Sequence, residues 1–184
     1  DDTEDLAAPG VFNFDLASGE AVLMFTTADS PALSRKRDLS ATKFAAAVRA
    51  NEELRRAAFP SRLHRAADDY IVNGRHGKTI MAGYPWFTDW GRDTFIALRG
   101  LCLATGRLED ARDILIAWAN SFSEGMLPNL FPDHGAKPEY NSVDASLSYV
   151  IAVHELLQAA NGCGVVAAKD KRAFQDAVLA ILDG

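Results

Sequence analysis

The chain is poor in the features that mark a function class at a glance. Only two cysteines, Cys102 and Cys163, occur in 184 residues. That is too few for the stapled scaffold of a small secreted domain. Both sit among apolar or small neighbours and read as buried or neutral thiols of a reducing, cytoplasmic setting. No apolar run approaches the roughly 18 residues of a membrane span, and no targeting leader is visible. Positive charge is in deficit: 19 Lys and Arg against 25 Asp and Glu leave a net charge of −6. Nucleic acid and anionic membrane are thereby disfavoured as partners. Neither GxGxxG nor GxxxxGK occurs, so no phosphate cradle is expected. Repeats and low-complexity tracts are lacking. Of four histidines, His134 stands beside Asp133 but has no second His at ligand spacing, so neither metal nor cofactor is expected. His64 and His76 carry no signal, and His154 reads as a satisfied core histidine.

What is present begins with alternation. In Val11-Phe12-Asn13-Phe14-Asp15-Leu16 the apolar residues Phe12, Phe14 and Leu16 share one side, the pattern of a half-buried strand. Ser18-Gly19-Glu20 turns the chain, and Ala21 to Phe25 returns as a second strand. A lone hairpin is not stable in water, so this one is expected to belong to a larger sheet upstream. Residues 27–39, with Arg35-Lys36-Arg37, read as a solvated linker. From Ser40 a helical period carries Phe44, Val48 and Leu54 as far as Pro60. Ser61 caps a second helix carrying Leu63, Ala66, Tyr70 and Ile71, with Gly74 as its stop. Asn73 to Gly83 is expected to be a loop with a short extended piece at Thr79-Ile80-Met81. Helices follow at Thr94–Thr105, closed by Gly106, and at Leu108–Phe122. Their inward residues are Phe95, Leu98, Leu101 and Cys102 in the first and Ala111, Leu115 and Trp118 in the second. A helix from about Asp144 carries Leu147, Ile151, His154 and Leu157 inward and ends at Asn161-Gly162. The last runs from Lys169 to Leu182. The chain opens on Asp1 and its final helical pattern stops close to Gly184, and an internal piece of a longer protein is expected.

Chemistry concentrates in two connections. Tyr84 to Gly100 reads YPWFTDWGRDTFIALRG. Its rings Tyr84, Trp86, Phe87 and Trp90 suit the apolar face of a sugar. Asp89, Arg92 and Asp93 supply charge-assisted hydrogen bonds for hydroxyls. The second connection, Gly125 to Val143, is long for helix-to-helix links of about 2–8 residues, which favours a functional role. It offers Asn129, Asp133, Lys137, Glu139, Tyr140 and Asn141, followed by Asp144. Each connection precedes a helix, and loops one helix pair apart lie at the same end of a helical array. The two should therefore open on one face. Plainer readings exist for each residue. Asp93 and Asp144 can be first-turn acids worth roughly 1 kcal/mol each, Arg92 with Asp89 can be a surface ion pair, and the rings can be core.

The segments AGYPWFTDWGRDTFIAL, ATGR, GMLPNLFPDHG and PEYNSVDASL, in this order and spacing, resemble the glycogen debranching enzyme family in its amylo-α-1,6-glucosidase part. The resemblance runs over roughly residues 61–162. It implies a mainly α fold, part of an (α/α)6 barrel of the glucoamylase-like type, of which this chain holds about five helices. The β-hairpin, residues 1–28, then resembles the end of a preceding β-sandwich. Residues 29–60 form a linker and helix, and residues 61–184 the start of the barrel. The implied activity is hydrolysis of α-1,6-linked glucose at branch points of glycogen or limit dextrin. Such an inverting reaction uses an acid that protonates the leaving oxygen and a base that activates water, roughly 6.5–9.5 Å apart. Asp144 matches the general acid, with partial burial expected to raise its pKa. The alternative gives that role to Asp93 and makes Asp144 a binder. Arg92 and Asp93 match the residues holding the terminal glucose, with Trp86 and Trp90 as walls. Asp89, Glu139, Tyr140 and Asn141 complete the expected substrate contacts. The family's base lies near the end of the barrel and matches nothing in this chain, so the remainder of the barrel is the expected partner and the isolated chain is expected to be inactive. A glucoamylase- or trehalase-like hydrolase, or a non-catalytic carbohydrate-binding helical module, are the alternatives.

Overall fold

The computed structural model describes residues 8, 10–23, 40–74, 77–84, 87–131 and 138–184. Expectations that fall on Phe25, Arg35 to Arg37, His76, Trp86, Asp133, His134 and Lys137 lie outside them. The chain falls into two units, residues 1–58 and 59–184.

In the first unit, α1 spans Ala41–Ala57, and the Ser40 hydroxyl accepts from the Lys43 amide as its N-cap. Glu52 bridges to both Arg55 and Arg56 one turn on. A turn forms over Asp15–Ser18, just ahead of the expected Ser18-Gly19-Glu20: the Ser18 hydroxyl donates to the Asp15 carbonyl, and the Ala17 amide donates to the Asp15 carboxylate. Phe12 and Phe14 stack with centroids 6.5 Å apart, as alternation places them. The expected strands are not seen among the described residues, since 10–23 carry no ladder. A strand persists only where a neighbour takes up its backbone hydrogen bonds, and Ala21–Leu23 do not pair with Val11–Leu16.

The second unit opens with α2, Arg62–Asp68, capped by Ser61 as expected. The helix stops earlier than Gly74. Ile71 and Val72 are β-branched and favour extended backbone. The chain pairs as an antiparallel hairpin instead, β1 (Ile71–Gly74) against β2 (Gly77–Ile80), with Ile71 opposite Ile80. Then α3, Gly91–Leu98, begins three residues before the expected start and widens into a π-helical turn over Arg99–Leu103. Gly106, with φ +73°, ends it in the left-handed conformation that glycine adopts without strain. Three further helices follow: α4 (Leu108–Ala119), α5 (Val143–Ala159) and α6 (Ala168–Asp183).

Side-chain contacts fix the helix directions. Gly91 lies against Ala145, and the Arg99 guanidinium bonds Glu155, so α3 and α5 run parallel, side by side. Trp118, near the end of α4, touches Gly91 at the start of α3, so α4 runs back behind them. Arg112 donates to the Val165 carbonyl just before α6, which places the starts of α4 and α6 together. The result is two layers, a parallel pair α3 and α5 backed by a parallel pair α4 and α6. Phe95 sits at the centre, edge-on to both Trp118 (5.2 Å) and Tyr149 (5.3 Å), a favoured ring geometry. Leu98, Ile114, Leu115 and Leu156 are fully buried around it.

The buried face of α5 differs from the expected one. Ala145, Tyr149, Ala152, Val153 and Leu156 point inward, while Leu147 and Ile151 are about half exposed and His154 is exposed, bonded to Gln158. This helix is apolar nearly all round, so periodicity does not single out a face. Its small residues allow the close approach to α3. Cys102 is buried, and burial pushes its thiol up to about 12. Cys163 is free and exposed, so of the two thiols expected to be buried or neutral only Cys102 is buried. No helix among the described residues is long and apolar enough to cross a membrane.

A polar network ties the hairpin to the helices. Lys78 pairs with Asp110, and Arg107 bonds both Asp110 and Asp68 at 2.6 Å. Burial alone would raise the Asp110 pKa, but the bonds from Lys78 and Arg107 outweigh it and hold the group below the usual carboxylate range. Its stabilising contribution is therefore complete above the ordinary Asp pKa and is lost as pH falls through the depressed folded value. Asp110→Asn should flatten the acid limb of the stability profile, measured by urea unfolding between about pH 2 and 5. A Cβ at Gly91 would meet the Pro128 carbonyl at 3.1 Å, Trp118 at 3.2 Å and Ala145 at 3.3 Å. Gly91→Val should cost about 1–3 kcal/mol in the same assay, and an unchanged midpoint would mean that the helices do not pack this closely.

Candidate functional site

The site is built where α3 and α5 begin. Trp90, the N-cap of α3, makes no capping bond through its side chain. The loop after α4 replaces it. The Gly91 amide donates to the Asn129 carbonyl at 2.8 Å, and Trp90 pairs with Leu130 in a single antiparallel bridge. The Asn129 amide in turn donates to the Glu139 carbonyl at 2.8 Å. Deeper, the buried Ser146 hydroxyl accepts from the Leu127 amide at 3.0 Å. One donor that a helix start leaves unsatisfied, the Gly91 amide, is thus used, with two loop amides, to stitch the connections together.

This stitching delivers Arg92 to Asp144. The guanidinium Nη1 lies 3.1 Å from the Asp144 carboxylate, with both side chains about half exposed. The WGRD and YNSVD segments therefore meet on one face. The Ser142 hydroxyl donates to the second oxygen of the same carboxylate. These bonds hold Asp144 below the usual carboxylate range: the Ser142 hydroxyl contributes most, desolvation opposes it next in size, and the bond and charge of Arg92 lower it further. Asp144 is partly buried, as expected, but its pKa is not raised. A half-exposed carboxylate with two donors is stabilised as the anion.

The other expected residues are distributed around this pair. Asp93 is exposed in the first turn of α3, on the side towards the hairpin, where it lines a groove with Tyr70 and Met81. Asp89 accepts from the Thr79 hydroxyl at 3.1 Å, which draws it towards β2. Trp90 is half buried. Glu139 is exposed and accepts from the Asn141 amide group at 3.1 Å, while the Tyr140 hydroxyl donates to the Ser121 carbonyl at 3.2 Å. Trp86 lies outside the described residues. Ser142 was not singled out from sequence. A hydroxyl two residues before a first-turn acid was the available signal, since short side chains there bond locally. Among the described residues, no group of three or more His, Cys, Asp or Glu is arranged to hold a metal ion.

The arrangement can grip a neutral polyol. An ionised carboxylate at Asp144 is able to accept from hydroxyls and the Arg92 guanidinium to donate to them, and neither is sealed from solvent. Replacing Ser142 with Ala should raise the Asp144 pKa towards its ordinary value, and Arg92→Ala should do so to a smaller extent. Carboxylate-carbon NMR titration reads both, and two unmoved curves would mean that the pair does not form in solution.

Residues 65–183 match the amylo-alpha-1,6-glucosidase family. The glycogen debranching enzyme of Saccharomyces cerevisiae is 39% identical over 90 residues, a stretch covering 46% of this chain and 6% of that protein. The chain thus spans a small part of the relative's length. With well over half of its residues matched, and with the WGRD and YNSVD segments inside the match, the chain belongs to the amylo-alpha-1,6-glucosidase family.

Proposed function

We propose that this chain forms part of a glycoside hydrolase that releases α-1,6-linked glucose from branched α-glucans such as glycogen or limit dextrin. The observation that carries the reading is the Arg92–Asp144 pair, which unites two motif segments 52 residues apart in sequence. Two layers of parallel helices, α3 with α5 and α4 with α6, suit an (α/α)6 barrel, in which such hairpins repeat around a ring. In this reading the helix starts of α3 and α5 form one wall of a glucose subsite. Arg92 and Asp144 hold hydroxyls of the terminal residue, and Trp90 borders it.

The proposal gives Asp144 the binding role, the alternative left open by the sequence. A general acid must hold its proton near neutrality, and the Ser142 and Arg92 bonds favour the opposite state. The reaction is read as inverting, with a carboxylate pair working across the glycosidic bond. The water-activating member belongs to a part of the barrel with no counterpart among these residues. The glucan is neutral, so the acidity of the chain does not oppose binding, and a cytoplasmic setting fits a glucan store.

The test is Asp144→Asn in the full-length gene product. Loss of one charge-assisted contact should weaken limit-dextrin binding about tenfold or more, with glucose release falling in parallel. Abolished turnover with intact binding would return Asp144 to the role of acid. Unchanged binding and turnover would remove the pair from the substrate site. Release of free glucose from a branched limit dextrin, with no action on trehalose, separates the proposed substrate class from that of a trehalase-like enzyme.

A further inference from the structure

The β-hairpin is tied to the helices and to the WGRD connection through two consecutive residues of β2. Lys78 pairs with Asp110 of α4, which Arg107 of the ATGR segment bonds together with Asp68. Thr79 donates its hydroxyl to the Asp89 carboxylate at 3.1 Å. A backbone bond joins the same two stretches, from the Ala82 amide to the Thr88 carbonyl at 2.8 Å. One end of β2 is thus fastened to the helical layer, and the other holds the residue that leads into α3.

Thr79 is well made for holding a direction. It is only 8% exposed, so its hydroxyl needs a partner within the protein, and a bond to a carboxylate is of the stronger, charge-assisted kind. Its methyl lies over Gly74, where a Cβ would come within 3.1 Å of it. A β-branched side chain seated by its methyl has little freedom at χ1, and this fixes the hydroxyl. Asp89 runs directly into Trp90, the N-cap of α3, which pairs on the far side with Leu130 of the second connection. Trp90 is therefore held from both directions, by β2 through Asp89 and by the second connection through its own backbone. We propose that Thr79 is a positioning residue of the glucose subsite, its hydroxyl acting through Asp89 to set where Trp90 stands at the border of that subsite. This rests on the reading that Arg92 and Asp144 hold glucose with Trp90 beside them. It extends that reading to the hairpin, whose residues touch no sugar in it.

The test compares Thr79→Val, which keeps the shape and removes the hydroxyl, with Thr79→Ser, which keeps the hydroxyl, in the full-length gene product acting on limit dextrin. A border ring meets the sugar before and during reaction alike, so misplacing it raises KM and leaves kcat nearly unchanged. A merely structural role would lower the folded fraction, and with it the apparent kcat, while KM stayed put. KM does not depend on how much enzyme is folded, so the reading survives a destabilised variant. Thr79→Val should raise KM about tenfold, and Thr79→Ser should return it to within about twofold. In an Asp89→Ala background Thr79→Val should add nothing, because the two act as one unit. An unmoved KM in Thr79→Val, a serine variant no better than the valine one, or independent effects of Thr79 and Asp89 overturns the proposal. Asp144→Asn, assayed alongside, keeps the two readings apart. Impairment there with an unmoved Thr79→Val removes the positioning role alone, whereas a raised KM in Thr79→Val with a silent Asp144→Asn keeps the role of Thr79 and removes the Arg92–Asp144 pair from the site.

Discussion

Two helices can begin side by side only if something at their starts is small enough to let the backbones close. Here that is Gly91 against Ala145, with Trp118 and the Pro128 carbonyl filling the remaining space. The contact sets α3 and α5 parallel, and from it follow the meeting of Arg92 with Asp144 and the seating of Phe95 between Trp118 and Tyr149. Parallel neighbours also bring two positive helix ends together. The acids at this end, Asp93 and Asp144, both lie in first turns, where that field favours them. Further along, the Arg99–Glu155 pair ties the same two helices a second time.

Much of this was readable from local rules. Ser40 and Ser61 cap helices because a short hydroxyl before a helical run satisfies a free amide, and Gly106 closes one because it tolerates positive φ. The stripes of α3 and α4 were legible because polar residues alternate with Phe95, Leu98, Leu115 and Trp118 at helical spacing. The face of α5 was not, because Leu147, Ile151 and Tyr149 are all apolar and only tertiary packing chooses among them. The hairpin at Ile71–Ile80 was missed in part because Ser61 to Gly74 also fits a helix, and pairing with a partner strand outweighed that propensity. At the site, the convergence of the two connections followed from helix-pair geometry. The ionisation of Asp144 did not, because it depends on the Ser142 hydroxyl and on which carboxylate Arg92 reaches.

Environment rather than residue type decides what a carboxylate does in such a cleft. Asp89, Asp93 and Asp144 lie within or just before first helical turns, yet each meets a different neighbour: the Thr79 hydroxyl, an open groove, and a guanidinium with a serine. A motif alone would treat the first two as equivalent members of one cluster. The fold separates them because Asp89, just ahead of the helix, is drawn to the Thr79 hydroxyl of β2, while Asp93 stands in the first turn facing the groove.

The unequal fates of the two thiols have a practical side. Cys102 lies sealed beneath the π-helical turn with its proton held tightly, whereas Cys163 stands in solvent just beyond α5. An alkylating dye applied to the folded molecule would accordingly attach at one place, at the opposite end of α5 from Asp144. Fluorescence from that handle could report on the intact fold without intruding on the Arg92–Asp144 end.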